Sequence, residues 1–232
     1  MILNAVMEDY LKAIYQLQSR TDGRVKTSEI ADRLGVKPPT VSSMIEKLGE
    51  RNLVDYEKYK GVRLTSEGEA VALEIIRHHR LLEAYLTEHL EYEWDEVHEE
   101  ADELEHHISE KFIQHVTELL DNPDVDPHGD PIPKENLDPV EEARGESITE
   151  YDEGDVVVVE RVSDEDSDVL RYLSEHNITP GTEVTVTEVA PFGMVTIRPR
   201  CEDEAASLPR DVLEHIRVRP VAGDARSEDF PA

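Results

Sequence analysis

A length of 232 residues exceeds one small domain and calls for two or three units, and no segment near Met1 joins basic, apolar and cleavage-site stretches, so a soluble, cytoplasmic protein is expected. The single Cys201 excludes an intrachain disulfide and every multi-cysteine zinc or iron–sulfur framework, and no apolar run approaches the ~18 residues of a membrane helix. A net charge of −30 argues against nucleic-acid binding by the chain as a whole, yet residues 1–64 hold 11 Lys and Arg against 9 Asp and Glu, while residues 65–232 hold 13 against 45.

In chain order, Val6, Tyr10, Ile14 and Leu17 recur at helical spacing over Ala5 to Leu17, and Asp22-Gly23 reads as a turn. Thr27 is the expected N-cap of a second helix, Ser28 to Leu34, which Gly35 ends in a left-handed conformation. Pro38-Pro39 opens a third helix, with Val41, Met44, Ile45 and Leu48 as its apolar stripe and Thr40, Ser42, Ser43 and Lys47 on the other side. Two helices about a Gly-containing turn form the helix-turn-helix pattern. Leu53–Tyr56 and Val62–Leu64 then alternate as short strands about a basic, aromatic tip, Glu57 to Gly61, which makes a wing.

A long helix is expected from Thr65 to Leu90, and another from near Asp95 through Val97, Ala101, Leu104 and Ile108. The prolines and aspartates of 121–145 forbid regular structure and read as a linker. Strands at Val156–Val159, Val184–Val189 and Met194–Ile197, with turns at Thr179-Pro180-Gly181 and Pro191-Phe192-Gly193, and a helix from Asp168 to Glu175 complete the pattern. The expected architecture is mainly α with a small β domain. It divides into a winged helix-turn-helix (1–64), a helical segment (65–120), the linker (121–145), a small β-barrel (146–220) and a polar tail (221–232). The carboxylate excess with few lysines reads as adaptation to molar salt, where screening lengths of roughly 3 Å blunt repulsion from DNA.

Chemistry concentrates in the helical segment. His98, Asp102, Glu105 and His106 fall at i, i+4, i+7 and i+8, one stripe of a single helix, and imidazole and carboxylate at that spacing converge on a divalent ion. His79 and Glu83, again i and i+4, stand ready on the preceding helix. A solvated acidic face is the competing reading. A hydrolytic metal site is the enzymatic alternative, but His98 is followed by Glu99-Glu100-Ala101-Asp102, which breaks the His-Glu-x-x-His spacing, and no catalytic residue is assigned.

The order of these features resembles the diphtheria-toxin-repressor family of metal-dependent regulators. The matching stretches are Met7 to Leu11 with Ile14-Tyr15, Thr27 to Met44, and Tyr56 to Val62 with Leu64-Thr65. Arg77 to Glu83, His98 to His106, and Pro127 to Pro133 continue the match. The resemblance implies a primary regulatory site of Asp9, Asp102, Glu105 and His106, and an ancillary site of His79, Glu83 and His98, to which an SH3-like barrel lends Asp166, or Asp168 failing that. Iron-responsive members place Met and Cys where this chain has Asp9 and Asp102, and hard carboxylates there favour Mn²⁺, with Fe²⁺ the alternative. Lys12 stands where barrel-less manganese members use a Glu ligand, so their paired-metal site does not transfer. A homodimer on palindromic double-stranded DNA is implied, repressing metal-uptake genes. Pro39, Thr40 and Ser43 are expected at base edges, and Thr27, Ser28, Lys37, Ser42, Lys47, Lys58 and Lys60 at phosphates.

Overall fold

The computed structural model describes residues 3–19, 23–138, 145–163, 166–191, 193–200, 202 and 204–221. The expected elements at Asp22, Phe192 and Cys201, and nearly all of the polar tail, lie outside the described residues. The chain forms two compact units, one of Met1–Leu82, Ala101–Asn122 and Ile132–Val140, the other of Glu83–Glu100, Pro123–Pro131 and Glu141–Ala232. No helix among the described residues is long and apolar enough to cross a membrane.

The first unit opens with α1 (Ala5–Ser19), α2 (Thr27–Arg33) and α3 (Pro38–Gly49), followed by β1 (Val54–Glu57) and β2 (Gly61–Leu64). Asn4 starts α1, its side-chain oxygen accepting the Met7 N–H at 3.0 Å. In that phase Met7, Tyr10, Leu11 and Ile14 face the core, whereas Val6, expected on the apolar face, is 51% exposed. The N-cap of α2 is Lys26 rather than Thr27, because the Glu29 carboxylate reaches back to accept the Lys26 N–H at 2.8 Å and brings Thr27 into the helix. Gly35 takes the left-handed φ of 63° that ends α2, and Pro38-Pro39 open α3. Val41, Ile45 and Leu48 pack on α1 and α2, and Met44 is partly buried against them.

β1 and β2 pair antiparallel from Val54↔Leu64 to Glu57↔Gly61, and Val25 bridges Val62. Only glycine fits at 61, since a Cβ there would stand 2.3 Å from the Val25 carbonyl oxygen at φ 111°.

α4 (Ser66–Leu90) and α5 (Val97–Leu104) each contribute residues to both units, and α6 (Glu110–Leu119) belongs to the first. The helix expected through Ile108 ends four residues early, at Leu104, and α6 beyond it is a further helix. Residues 105–107 turn, and Ser109 then caps α6 by accepting the Phe112 N–H at 3.3 Å. His106 leaves the helical stripe on which its spacing placed it, whereas Glu105, whose N–H still donates to the Ala101 carbonyl at 2.9 Å, stays beside Asp102.

In the second unit, β3 (Glu146–Ser147), a 3-10 turn at Ile148–Glu150, β4 (Val156–Val162), α7 (Ser167–Glu175), β5 (Glu183–Ala190), β6 (Met194–Pro199), β7 (Ala206–Pro209), α8 (Arg210–Leu213) and β8 (Ile216–Pro220) follow in order. The six strands form one antiparallel sheet, β3-β8-β4-β5-β6-β7, with bulges at Val159/Arg161 and Val186/Glu188 that bend it. Val157, Val159, Leu170, Leu173, Val184, Val186, Ile197 and Val218 fill its core with Trp94 from the α4–α5 connection. The proline-rich segment beyond α6 has no helix or strand among its described residues, yet it is tightly held. Asp126 Oδ1 accepts the N–H groups of His128 and Asp130, both at 2.9 Å, and a Cβ at Gly129 would lie 1.9 Å from the Glu160 carbonyl oxygen.

Candidate metal centre and nucleic-acid face

The first unit presents Lys37, Pro39, Thr40, Ser42, Ser43 and Lys47 on the exposed side of α3, with Ser28 exposed and Thr27 half-buried on α2. Short hydroxyls and an apolar proline ring on one convex helix suit base edges and thymine methyls of a major groove. Ser42 donates to the Pro38 carbonyl at 3.2 Å, which ties its hydroxyl to the helix. At the wing tip Lys58 lies 5.1 Å from the ring centroid of Tyr59, itself 92% exposed. Lys60 is engaged by Glu57 at 2.6 Å, and Arg24 reaches the same carboxylate at 2.7 Å; the Lys60 hydrogen bond and the Arg24 charge lower the Glu57 pKa.

The same unit brings α1, α4 and the turn after α5 together in a polar cluster, which has two halves sharing the buried Glu105. In one half, ligand atoms of Asp9, Glu105 and His106 converge. His106 Nε2 lies 2.9 Å from Asp9 Oδ1 and 3.5 Å from Glu105 Oε1, while its Nδ1 is 2.7 Å from Glu8 Oε2. A neutral ring donates from one nitrogen only, so Nδ1–H to Glu8 leaves the Nε2 lone pair facing Asp9 and Glu105, an arrangement that a cation completes. Burial raises the Asp9 pKa, only partly offset by His106.

In the other half, His79 Nδ1 lies 2.6 Å from Glu105 Oε2 and 3.1 Å from Asp102 Oδ1. Lys12 donates to Asp102 Oδ1 at 2.9 Å and to Glu105 Oε2 at 3.0 Å, and its Nζ lies 3.0 Å from His79 Nδ1. Burial works against the charged form of Asp102, but hydrogen bonding to His79 and the Lys12 charge prevail and hold it below the usual carboxylate range. Four carboxylates, from Glu8, Asp9, Asp102 and Glu105, thus surround one ammonium and two imidazoles, a net negative environment of hard oxygen and nitrogen donors suited to a divalent cation. Asp102, placed by its spacing beside Glu105 and His106, joins His79 instead of Asp9.

The second unit brings Glu83 and His98 together, His98 Nδ1 lying 3.1 Å from Glu83 Oε1. His79, grouped with them on sequence, also contacts Lys12, Asp102 and Glu105 within the first unit. A further convergent set, Glu83, Asp126 and His128, is wholly buried, with His128 stacked on Trp94 at 5.6 Å and its Nε2 2.8 Å from the Trp94 carbonyl oxygen. Asp166 is exposed and serves as the N-cap of α7, accepting the N–H groups of Asp168 and Val169, and Asp168 pairs with Arg171 at 3.2 Å. Among the described residues neither aspartate joins a set of three converging ligand atoms. Glu8, Asp126 and His128 were missed as site residues, although Glu8 adjoins Asp9 and His128 lies in the Pro127–Pro133 stretch quoted above.

Comparison with known proteins covers most of the chain. Residues 2–62 match the domain family described as iron dependent repressor, N-terminal DNA binding domain, residues 65–134 its metal binding and dimerisation domain, and residues 147–220 the FeoA domain. The iron-dependent repressor IdeR of Mycobacterium tuberculosis is 31% identical over 226 residues, 92% of this chain and 96% of the relative. A solved manganese-dependent transcriptional repressor in complex with manganese is 35% identical with a TM-score of 0.83, covering 93% of this chain and all of the other, and the manganese regulator SloR is 35% identical with a TM-score of 0.73, covering 95% and 100%. With a winged helix-turn-helix ahead of a helical segment and a small β domain, the chain belongs to the diphtheria-toxin-repressor family and is a metal-dependent transcriptional repressor, not an enzyme.

Proposed function

We propose that this repressor responds to manganese and, as a homodimer, binds a palindromic operator of metal-uptake genes when the Asp9–Glu105–His106 half of the cluster holds a divalent ion. The observation that carries the reading is the donor set itself: two carboxylates and one imidazole from α1 and the turn after α5, without sulfur. Manganese-dependent proteins among the similar structures support it. Fe²⁺ is the second reading, favoured by the iron-dependent relatives and by affinity rising from Mn²⁺ to Fe²⁺ at nitrogen and oxygen sites.

A bound ion supplies the positive charge that these carboxylates lack. Asp9 belongs to the helix that packs on α2 and α3, whereas Glu105 and His106 follow α5. Holding the three together narrows the orientations of α3, and two copies so held match successive half-sites. Glu8 orients His106 through Nδ1, and Asp102 with His79 flanks Glu105. In the second unit Glu83, His98, Asp126 and His128 form the candidate ancillary site. Pro39, Thr40 and Ser43 read bases, and Thr27, Ser28, Lys37, Ser42, Lys47, Lys58 and Lys60 touch phosphates.

A mobility-shift titration of operator fragments across Mn²⁺, Fe²⁺, Co²⁺ and Zn²⁺ tests this function. Mn²⁺-dependent retardation at the lowest concentration is expected for the wild type and is lost in His106→Ala. Retardation without any metal, or unchanged metal dependence in His106→Ala, would overturn the assignment.

A further inference from the structure

We propose that Glu74 and His78 of α4 and Glu110 of α6 form a separate, weaker site for a divalent cation, which fastens the start of α6 to α4. None of the three belongs to the sets around Glu105 and Glu83, so this site does not depend on the sensor reading above.

Spacing supplies the first part of the geometry. Glu74 and His78 stand at i and i+4 on α4, and Glu110 and Gln114 at i and i+4 on α6, so each helix presents a pair of polar side chains on one face. All four line one cavity of about 230 Å³ in the first unit. His78 is only 8% exposed, so packing fixes its ring at the cavity wall. Ligand atoms of Glu74, His78 and Glu110 lie within 4.8 Å of one another, and His78 Nε2 is 3.5 Å from Glu110 Oε1. That separation is long for a direct hydrogen bond. Two ligands each about 2.0–2.2 Å from one ion stand roughly 3.0–3.5 Å apart, so the pair needs little movement to share a cation.

Charge points the same way. Burial raises the pKa of the Glu74 carboxyl, and the charge and hydrogen bond of Glu110, then the charge of Glu8, raise it further. Carboxylates this close repel each other unless a proton or a cation stands between them. Arg77, the cationic side chain at the cavity wall, is held by the Pro133 carbonyl oxygen at 2.7 Å and the Thr117 hydroxyl at 3.2 Å. Two carboxylates and one imidazole, without sulfur, suit Mn²⁺ or Fe²⁺. The cavity has room for the waters that complete such an ion's coordination, since one water needs about 10–15 Å³. The Glu110 side chain is 65% exposed, so an ion here exchanges with solvent and binds more weakly than one held by the buried Glu105.

The test counts Mn²⁺ ions per full-length chain by equilibrium dialysis in molar KCl, where diffuse attraction to the acidic surface is screened. Wild type is compared with Glu74→Gln, Glu110→Gln and, as a control for charge alone, Glu118→Gln at an exposed position of α6. Each is also measured together with His106→Ala. Glu74→Gln and Glu110→Gln should each lose one ion per chain from the weaker class, Glu118→Gln should lose none, and the same differences should persist beside His106→Ala. Should Glu74→Gln fail to fold, Glu110→Gln, which replaces an exposed side chain, decides. An unchanged count in Glu110→Gln, an equal loss in Glu118→Gln, or a loss that vanishes beside His106→Ala each overturns this site and leaves the sensor reading standing. Operator binding that needs no metal overturns the sensor reading alone, and a wild-type chain that takes up no Mn²⁺ overturns both.

Discussion

Asp9→Ala separates the metal role of the cluster from its structural role, because Asp9 bonds side chain to side chain with His106 and is 45% exposed there. Loss of a partly exposed ion pair costs about 0–1 kcal/mol, so the metal-free variant should melt close to the wild type. With metal the balance changes. Even outer-shell partners are worth about 10–100-fold in affinity, so deleting one of three converging ligands should weaken binding by at least ~100-fold. At Mn²⁺ equal to 100 times the wild-type Kd, linkage adds about 2.7 kcal/mol to wild-type stability but only about 0.4 kcal/mol to a variant whose Kd has risen to that concentration. Urea denaturation with and without Mn²⁺ measures both differences. A variant that keeps the full metal-induced shift would refute the placement of Asp9 in the site, and one already unfolded without metal would refute its purely regulatory role.

Gly68→Ala should cost about 3 kcal/mol, since its Cβ would sit 1.9 Å from the Leu53 carbonyl oxygen, whereas Gly49→Ala, with nothing nearer than 4.0 Å, should be neutral or stabilising by about 0.5–1 kcal/mol; urea midpoints decide. Lys58→Ala should reduce the salt slope of operator binding by about one, and Lys60→Ala by less, because Glu57 already holds its ammonium at 2.6 Å. Equal slopes for both would contradict that pairing. Asp166→Ala should destabilise the second unit by about 1 kcal/mol through loss of the α7 cap, and Asp166→Asn should restore it. If Mn²⁺ uptake falls in both variants, Asp166 is a ligand and not only a cap.

Local pattern alone determined much of this protein. Pro38-Pro39 and the Val41, Ile45, Leu48 stripe specify α3, Gly35 its entry turn, and alternation about Glu57 to Gly61 the wing, because each depends on neighbours a few residues away. The family was legible for the same reason, as an ordered series of short stretches. Val6 shares the face of Tyr10 and Ile14 but sits in the first turn of α1, where it is left 51% exposed, and β8 was missed although Ile216 and Val218 alternate with Arg217 and Arg219, since five residues make a weak signal. The site was legible as a list of residue types but not as a partition. Spacing put Asp102, Glu105 and His106 on one stripe, but α5 ends at Leu104 and the chain turns so that His106 meets Glu8 and Asp9, 98 and 97 residues away. Only tertiary packing decided that His79 also meets Asp102, that Asp126 and His128 lie buried beside Glu83, and that Lys12 reaches the centre of the cluster, because those contacts join residues whose sequence separation carries no periodic signal.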